Sequence, residues 1–271
     1  MKPILKWAGG KSALLNEIQK RMPKNFETYF EPFVGGGAVF FGTDIKHSVI
    51  NDINVELINC YKQVRDHCDE LIPLLDDLQK KHSEEKYYEL RSKFNLRKAA
   101  DPKNLNVYDA ALMLYLNKAG FNGMYRENRK GYFNIPSGHK KNVTLYERDN
   151  LLAVSEKLKT AKILNEDFEE SVKTAKEGDF VYFDSPYDET FSDYQKGGFS
   201  KEEHKRLADL CHRLDNQNIN FLLSSSDSEF IHDLYKDFKF SRVQVTRMIR
   251  FRGNRTETTE LFIYNYPLNE Q

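Results

Sequence analysis

Residues 180–187 read FVYFDSPY, four aromatic or apolar residues followed by Asp184, Ser185, Pro186 and Tyr187. The run reads as a strand buried on both faces, and Pro186 forbids its continuation because proline cannot donate to the ladder. A carboxylate and an aromatic ring are thereby left at a strand's C-terminal edge, where open parallel sheets bind ligands. A second edge is spelled by Glu31-Pro32-Phe33-Val34-Gly35-Gly36-Gly37. Glycines there let the backbone approach a nucleoside or amino-acid ligand closely, and the helix that follows offers unpaired N–H groups. The competing explanation is a tight turn that needs glycine for conformation alone. Asp52 ends the next apolar run, a position from which an acid accepts hydrogen bonds from ribose hydroxyls; as a bland alternative it caps the following helix. Glycines and acid together point to an adenosine-bearing ligand, and the lack of a Walker lysine and serine argues against phosphate cradling. The opening Lys6-Trp7-Ala8-Gly9-Gly10-Lys11 holds the only tryptophan. It belongs either to a site or to a docked terminus whose ring fills a core gap.

These residues need a frame, and the pattern supplies one. Thr28–Glu31 and Ser48–Asp52 read as strands separated by a helix that opens at Gly37, a βαβ rhythm. It resumes with strands at Lys162–Leu164 and Phe180–Asp184. A helix is then announced by the capping box Ser200-x-x-Glu203, with Leu207, Leu210, Cys211 and Leu214 on one face. Asn220–Ser224 reads as the next strand, and the runs Val243–Ile249 and Leu261–Tyr266 as an antiparallel pair at the sheet's end. Between Val55 and about Asn150 the rhythm breaks into long charged helices and a loop-rich run over residues 117–142, which reads as an insertion. That run holds four glycines and six basic residues (Lys118, Arg126, Arg129, Lys130, Lys140 and Lys141) against the single acid Glu127. The turn at Arg129-Lys130-Gly131 predicts a hairpin with glycine at a positive-φ position.

With 271 residues the chain fits one α/β domain carrying an inserted module. Its 41 basic residues balance 41 acidic ones, so only local charge can speak for nucleic acid. Cys60, Cys68 and Cys211 lack CxxC spacing and form neither a disulfide framework nor a metal cluster; no metal is expected. No apolar run reaches signal-peptide or membrane-span length, which predicts a soluble, cytoplasmic protein with no membrane partner.

KWAGGK, EPFVGGG, Asn51-Asp52-Ile53-Asn54, the Asp-x-Pro-Tyr tetrad and FNGMYRENRKGYFNIPSG occur in the order seen in Dam-like DNA adenine-N6 methyltransferases of the alpha arrangement, and the chain resembles that family over nearly its whole length. The resemblance implies an α/β fold: a class I methyltransferase-like, mostly parallel sheet flanked by helices. Residues 1–54 and 151–271 would form the catalytic domain, and residues 55–150 an inserted helical and β-hairpin target-recognition domain. It implies that Trp7, Lys11, Phe33, Gly35, Gly36, Gly37 and Asp52 hold S-adenosylmethionine, joined by Asp184, and that Asp167 and Phe168 contact the cofactor's adenine. Asp184, Ser185, Pro186 and Tyr187 would hold the target base. The hairpin would read double-stranded DNA through Asn122, Met124, Tyr125, Arg126, Asn128, Arg129, Asn134 and Pro136, with Lys140 and Lys141 on phosphates. GATC is the site this family resemblance implies, in restriction-modification or another setting, with a monomer in solution.

Elementary chemistry agrees with that picture. The exocyclic amine of adenine is a poor nucleophile; a carboxylate and a backbone carbonyl accepting its N–H bonds orient it for attack on a sulfonium methyl. Tyr187 can stack on a base that leaves the duplex, and stacking of about 1–3 kcal/mol offsets much of the few kcal/mol spent on flipping. Cytosine-C5 chemistry needs a cysteine after proline, whereas Asn59, His67 and Leu210 precede the cysteines here. Cytosine-N4 methylation is a rival whose tetrad usually begins with serine rather than aspartate. Ser185 departs from the family's proline, so a catalytically weak DNA-binding protein of the same family stays open as an alternative. Arg126 is expected on a base edge, since arginine suits bidentate contact with guanine. A second basic group, Arg242, Arg247, Arg250, Arg252 and Arg255, is either a DNA contact or an exposed, solvated loop.

Overall fold

The computed structural model describes residues 1–187, 199–248 and 255–268. In chain order come α1 (Leu15–Arg21), β1 (Tyr29–Glu31), α2 (Ala38–Gly42), β2 (Ser48–Asn51) and α3 (Val55–Asp66). Next are α4 (Cys68–Lys80), α5 (Glu84–Ala100), α6 (Val107–Ala119), α7 (Arg148–Lys159) and β3 (Ala161–Leu164). The chain continues through α8 (Phe168–Ser171), β4 (Phe180–Phe183), α9 (Lys201–Asn216), β5 (Asn220–Ser226), α10 (Glu229–Leu234), β6 (Lys239–Met248) and β7 (Arg255–Tyr264).

The seven strands form one sheet in the order β3-β2-β1-β4-β5-β7-β6. The first five are parallel, while β7 runs antiparallel to β5 and to β6. This is the mostly parallel α/β sheet that the resemblance implied, with the expected antiparallel pair at its end. From β1 the chain builds outward to β2 and β3, then returns to the other side for β4 and β5. The order therefore reverses between β1 and β4, the switch point at which α/β sheets open a crevice beyond the carboxyl ends of their strands.

The tetrad's strand is buried on both faces, as its composition predicts: Phe180 and Tyr182 join one apolar cluster, Val181 and Phe183 another. In α9 the Ser200 hydroxyl accepts from the Glu203 N–H at 3.2 Å, and Leu207, Leu210, Cys211 and Leu214 are all buried. That arrangement supports the strand–helix unit through the cap and the apolar stripe together.

The long segment between β2 and β3 supplies α3 to α7. Its centre is α6, started by a reciprocal capping box between Asn106 and Asp109 and buried along almost its whole length. One apolar cluster runs from Ile50 and Ile163 of the sheet through Leu57 and Tyr61 to Tyr87 and Phe94, so the helices pack directly on the strands. Among the described residues no helix is long and apolar enough to cross a membrane.

Candidate active site

At the switch point the tetrad meets residues from three other parts of the chain. Asp184 follows β4, and its Oδ1 lies 2.5 Å from Nζ of Lys11. Lys11 is only 4% exposed and also donates to the carbonyl of Gly9 at 3.1 Å. The same Oδ1 accepts from the Ser224 hydroxyl of β5 at 3.2 Å, and Ser224 is in turn 3.0 Å from the Tyr182 hydroxyl. Tyr187 sets its ring 4.8 Å from the Lys11 ammonium and donates its hydroxyl to Glu260 of β7. Ser185 is buried and Pro186 exposed. Charged groups this far from water are tolerated because they face one another.

Glu31, the last residue of β1, is 2% exposed and accepts from the Tyr29 hydroxyl at 2.8 Å. Burial pushes its carboxyl up to about 8; the Tyr29 hydroxyl opposes that rise and the nearby Asp184 charge adds to it. Glu31 is thus held neutral near pH 7 beside an ion-paired carboxylate.

A second constellation occupies the adjoining edge of β1, β2 and β3. Gly35 and Gly37 have φ of 47° and 72°, left-handed values that favour glycine. A Cβ at Gly35 would lie 2.9 Å from the Trp7 ring, and one at Gly37 would lie 2.4 Å from Phe41. Trp7 covers the glycine loop, so its docking and its place beside the candidate site are one arrangement. Asp52 does not cap α3; that task falls to Asn54, whose side chain accepts from Leu57 N–H at 2.8 Å. Asp52, half-buried, accepts from Gly35 N–H at 3.0 Å and Asn54 N–H at 2.9 Å. Burial pushes its carboxyl up to about 6, with the Asn54 and Gly35 N–H groups pulling the other way.

The three edges are tied by two side-chain amides, Asn51 of the Asn51-Asp52-Ile53-Asn54 motif and Asn165, which no motif marks. Asn51 bonds the carbonyls of Pro32 and Glu166 and accepts from Glu166 N–H, while Asn165 donates to the carbonyl of Asp52 at 2.8 Å. Asp167 caps α8 and pairs with Arg206 at 2.9 Å. Phe168 is buried with its ring 5.4 Å from Phe33. Phe33, Asp52, Asp167 and the glycine loop therefore border one stretch of sheet edge.

The predicted hairpin forms. Glu127 bridges Phe133, Asn134 N–H donates to the Arg126 carbonyl at 3.1 Å, and Gly131 turns with φ 78°. Tyr87, Arg91 and Asn95, spaced four apart on one face of α5, hold the returning arm: Tyr87 and Arg91 donate to the carbonyl of Ile135, and Asn95 pairs with both backbone groups of Phe133. That i, i+4, i+8 spacing is the signal that could have found them. Arg126, Arg129, Pro136, Lys140, Lys141 and Met124 are exposed or nearly so, and Arg126 donates to Asn134 across the hairpin at 2.9 Å. Asn122 takes a left-handed φ of 55°, and the Asn128 side chain closes the turn by accepting from Lys130 and Tyr132 N–H.

Tyr125, expected on DNA, is half-buried between the hairpin and the N-terminal segment. Its ring stacks on Trp7 with centroids 5.0 Å apart, and its hydroxyl donates to Glu127 at 2.5 Å, so both ends are spent bracing the hairpin against the N-terminal segment. Lys6 is clamped by Asn117 through both of its backbone groups at 2.9 Å.

Of the second basic group, Arg242 is paired with Asp227 at 2.7 Å. Arg247 and Arg255 lie on β6 and β7, and Arg250 and Arg252 fall outside the described residues. Among the described residues no group of His, Cys, Asp or Glu is arranged to hold a metal ion. Sequence reasoning missed Glu260, Ser224 and Glu31; the detectable signal for Glu260 is one acid in the otherwise apolar second half of β7, ELFIY.

The family model for D12 class N6 adenine-specific DNA methyltransferases matches residues 7–249. The chain is 42% identical to a type II methyltransferase, M1.LlaDCHI, of Lactococcus lactis subsp. cremoris, covering 98% of this chain and 96% of that protein. It is 39% identical to a type II methyltransferase, M.MjaIII, of Methanocaldococcus jannaschii over 98% and 99% of the two chains. Against a DNA adenine methylase of Escherichia coli the identity is 35%, over 97% and 95%. The Dam-like resemblance of the motifs is thereby shown over nearly the whole chain, which belongs to the D12 class N6 adenine-specific DNA methyltransferases.

Proposed function

We propose that this adenine-specific DNA methyltransferase takes its methyl group from S-adenosylmethionine and acts on adenine N6 within GATC in duplex DNA. Residues 1–54 and 151–271 would do the chemistry, and residues 55–150 would read the sequence. The observation that carries the reading is the placement, beyond the carboxyl ends of adjacent parallel strands, of the Lys11-paired Asp184 carboxylate on one side and the glycine loop bonded to Asp52 on the other. The residues fit the cofactor. Asp52 supplies an ionisable acceptor for a ribose diol, the loop has no room for side chains toward Trp7, and Asp167, whose neighbour Phe168 packs on Phe33, is the candidate acceptor for an adenine amine. When bound, S-adenosylmethionine supplies an electrophilic sulfonium methyl.

The chain's own groups do the rest. Asp184 and the backbone carbonyl of Ser185 accept from the target amine, orient its lone pair and stabilise the positive charge that develops there. Tyr187 offers its ring to the flipped base. DNA from an expressing host should resist a nuclease that adenine methylation blocks at GATC and be cut by one that requires that methylation. Complete digestion by the first enzyme would sink the GATC assignment.

Cofactor binding should depend on pH through Asp52. Its carboxyl titrates near 6 in the free protein, so affinity is expected to fall as pH drops through that value, when the charged acceptor is lost. Asp52→Asn should bind more weakly by about 1.5–3 kcal/mol and show a flat profile. Calorimetric titration between pH 5 and 8 checks both; a wild-type affinity unchanged across that range would contradict the role.

Arg126→Ala should cost about 1–3 kcal/mol and relax discrimination at one base pair, because a guanidinium on the hairpin surface can reach two acceptors of a guanine. Lys140→Ala should weaken all sequences alike and flatten the salt dependence by about 0.9 for each phosphate the lysine neutralises. If both variants lose cognate and non-cognate duplex equally, Arg126 does not read a base.

A further inference from the structure

Glu260 sits in the middle of β7, opposite Ser226 of β5, and is completely buried. A buried carboxylate must be paired, and two of its partners belong to the tetrad and its surroundings. Its Oε1 accepts the Tyr187 hydroxyl, and the same oxygen lies 3.8 Å from Nζ of Lys11. Lys11 in turn lies 2.5 Å from Asp184 and 4.8 Å from the centre of the Tyr187 ring. One buried ammonium thus stands between two carboxylates, with the aromatic ring touching the ammonium by its face and the second carboxylate by its hydroxyl.

We propose that Glu260 is a positioning residue for methyl transfer, fixing the Tyr187 ring and sharing Lys11 with Asp184. The inference rests on the reading of Asp184 and Tyr187 given above. The tether has a simple mechanical content. Residues 184–187 lie beyond the end of β4 without regular secondary structure. A ring there has two side-chain torsions to set: the hydroxyl bond at its far end fixes χ1, and, because the oxygen lies on the χ2 axis, the ring plane is set by the Lys11 ammonium against its face. The charge has content too. Asp184 Oδ1 already accepts from Ser224, and an ammonium drawn wholly to that oxygen would leave a weaker acceptor for an incoming amine. A second carboxylate on the far side of Lys11 holds part of that cation back.

Three variants separate these effects. Glu260→Gln keeps the shape and can still accept the Tyr187 hydroxyl but removes the charge; Glu260→Ala removes both; Tyr187→Phe removes only the tether. Single-turnover methylation of a duplex with one target site gives the rate, 2-aminopurine fluorescence at the target position reports the stacked, flipped base, and calorimetry reports cofactor binding. Glu260→Gln is expected to slow single turnover about tenfold or more, with cofactor affinity within about twofold of wild type. Tyr187→Phe should alter the fluorescence of the flipped base in wild type but add nothing in the Glu260→Ala background. A Glu260→Gln rate equal to wild type overturns the charge-sharing, and independent, additive effects of Tyr187→Phe and Glu260→Ala overturn the tether. Should Glu260→Ala fail to fold, a Tyr187→Phe variant whose flipped-base fluorescence equals wild type overturns the tether instead. A wild-type chain that transfers no methyl group to DNA would instead sink the functional reading, and this inference with it.

Discussion

Asp184→Ala is expected to slow methyl transfer by about 10³-fold or more while leaving duplex binding within about threefold. Removing one preorganised polar partner of a transition state typically costs about 10²–10³-fold, and in the proposed mechanism the lost group both orients the amine and faces the developing charge. On the proposed reading DNA binding is spared, because the hairpin's returning arm is held at the backbone of Phe133 and Ile135 by Tyr87, Arg91 and Asn95 of α5, far along the chain from the tetrad. The fold survives as well, since Glu260 remains as a countercharge for Lys11. Single-turnover rates and gel-shift affinities on one duplex make the comparison, and a rate within tenfold of wild type would remove Asp184 from the mechanism.

The same assay settles the meaning of Ser185. Its backbone carbonyl is as good an acceptor as that of proline, so the chemistry stands, but it lacks the fixed φ and adds an N–H and a hydroxyl in a buried position. Pro186 still steers it toward extended conformations. Ser185→Pro should therefore be faster than the parent, because small misplacements of an acceptor degrade alignment. Equal rates would mean that serine is simply tolerated, and would retire the alternative of a catalytically weak DNA-binding protein.

A large pH effect on stability is expected from Glu31. Its carboxyl sits at about 8 in the folded chain against an ordinary 4.5. Between those values the unfolded chain has released this proton while the folded chain keeps it, so stability falls as pH rises. The contribution is fully present below about 4.5 and lost once pH passes 8, a swing of about 3–5 kcal/mol at 1.36 kcal/mol per unit. Glu31→Gln removes the titration. Relative to wild type, the variant should gain that amount between about pH 4.5 and 8 in chemical denaturation. A stability difference that stays constant across the range would mean Glu31 ionises normally.

Much of the frame was written locally. Strands at Phe180–Phe183 and Ser48–Asn51, the cap at Ser200 and the glycine turn at Gly131 each follow from a few adjacent residues, because β-burial, capping and positive φ are short-range properties. Family motifs added the roles expected of Trp7, Asp52 and the tetrad. Local signals also left choices open: Asp52 could cap the following helix by type, and only the backbone geometry gave the cap to Asn54 and turned Asp52 to the glycine loop. The stack of Tyr125 on Trp7 was likewise out of reach, because nothing near either residue in sequence reveals the other.

By itself, then, the sequence determined which segments are strands and helices, where the tetrad's strand must stop, and which family's chemistry those motifs spell. What only the tertiary structure decided is the company of Asp184. Lys11, Ser224 and Glu260 lie 173, 40 and 76 residues away from it. The meeting with Ser224 and Glu260 depends on β5 lying beside β4 and on β7 lying beside β5, while Lys11 arrives from the segment before α1. Strand order is set by how the whole chain buries its apolar faces, and no stretch of a few residues carries that information.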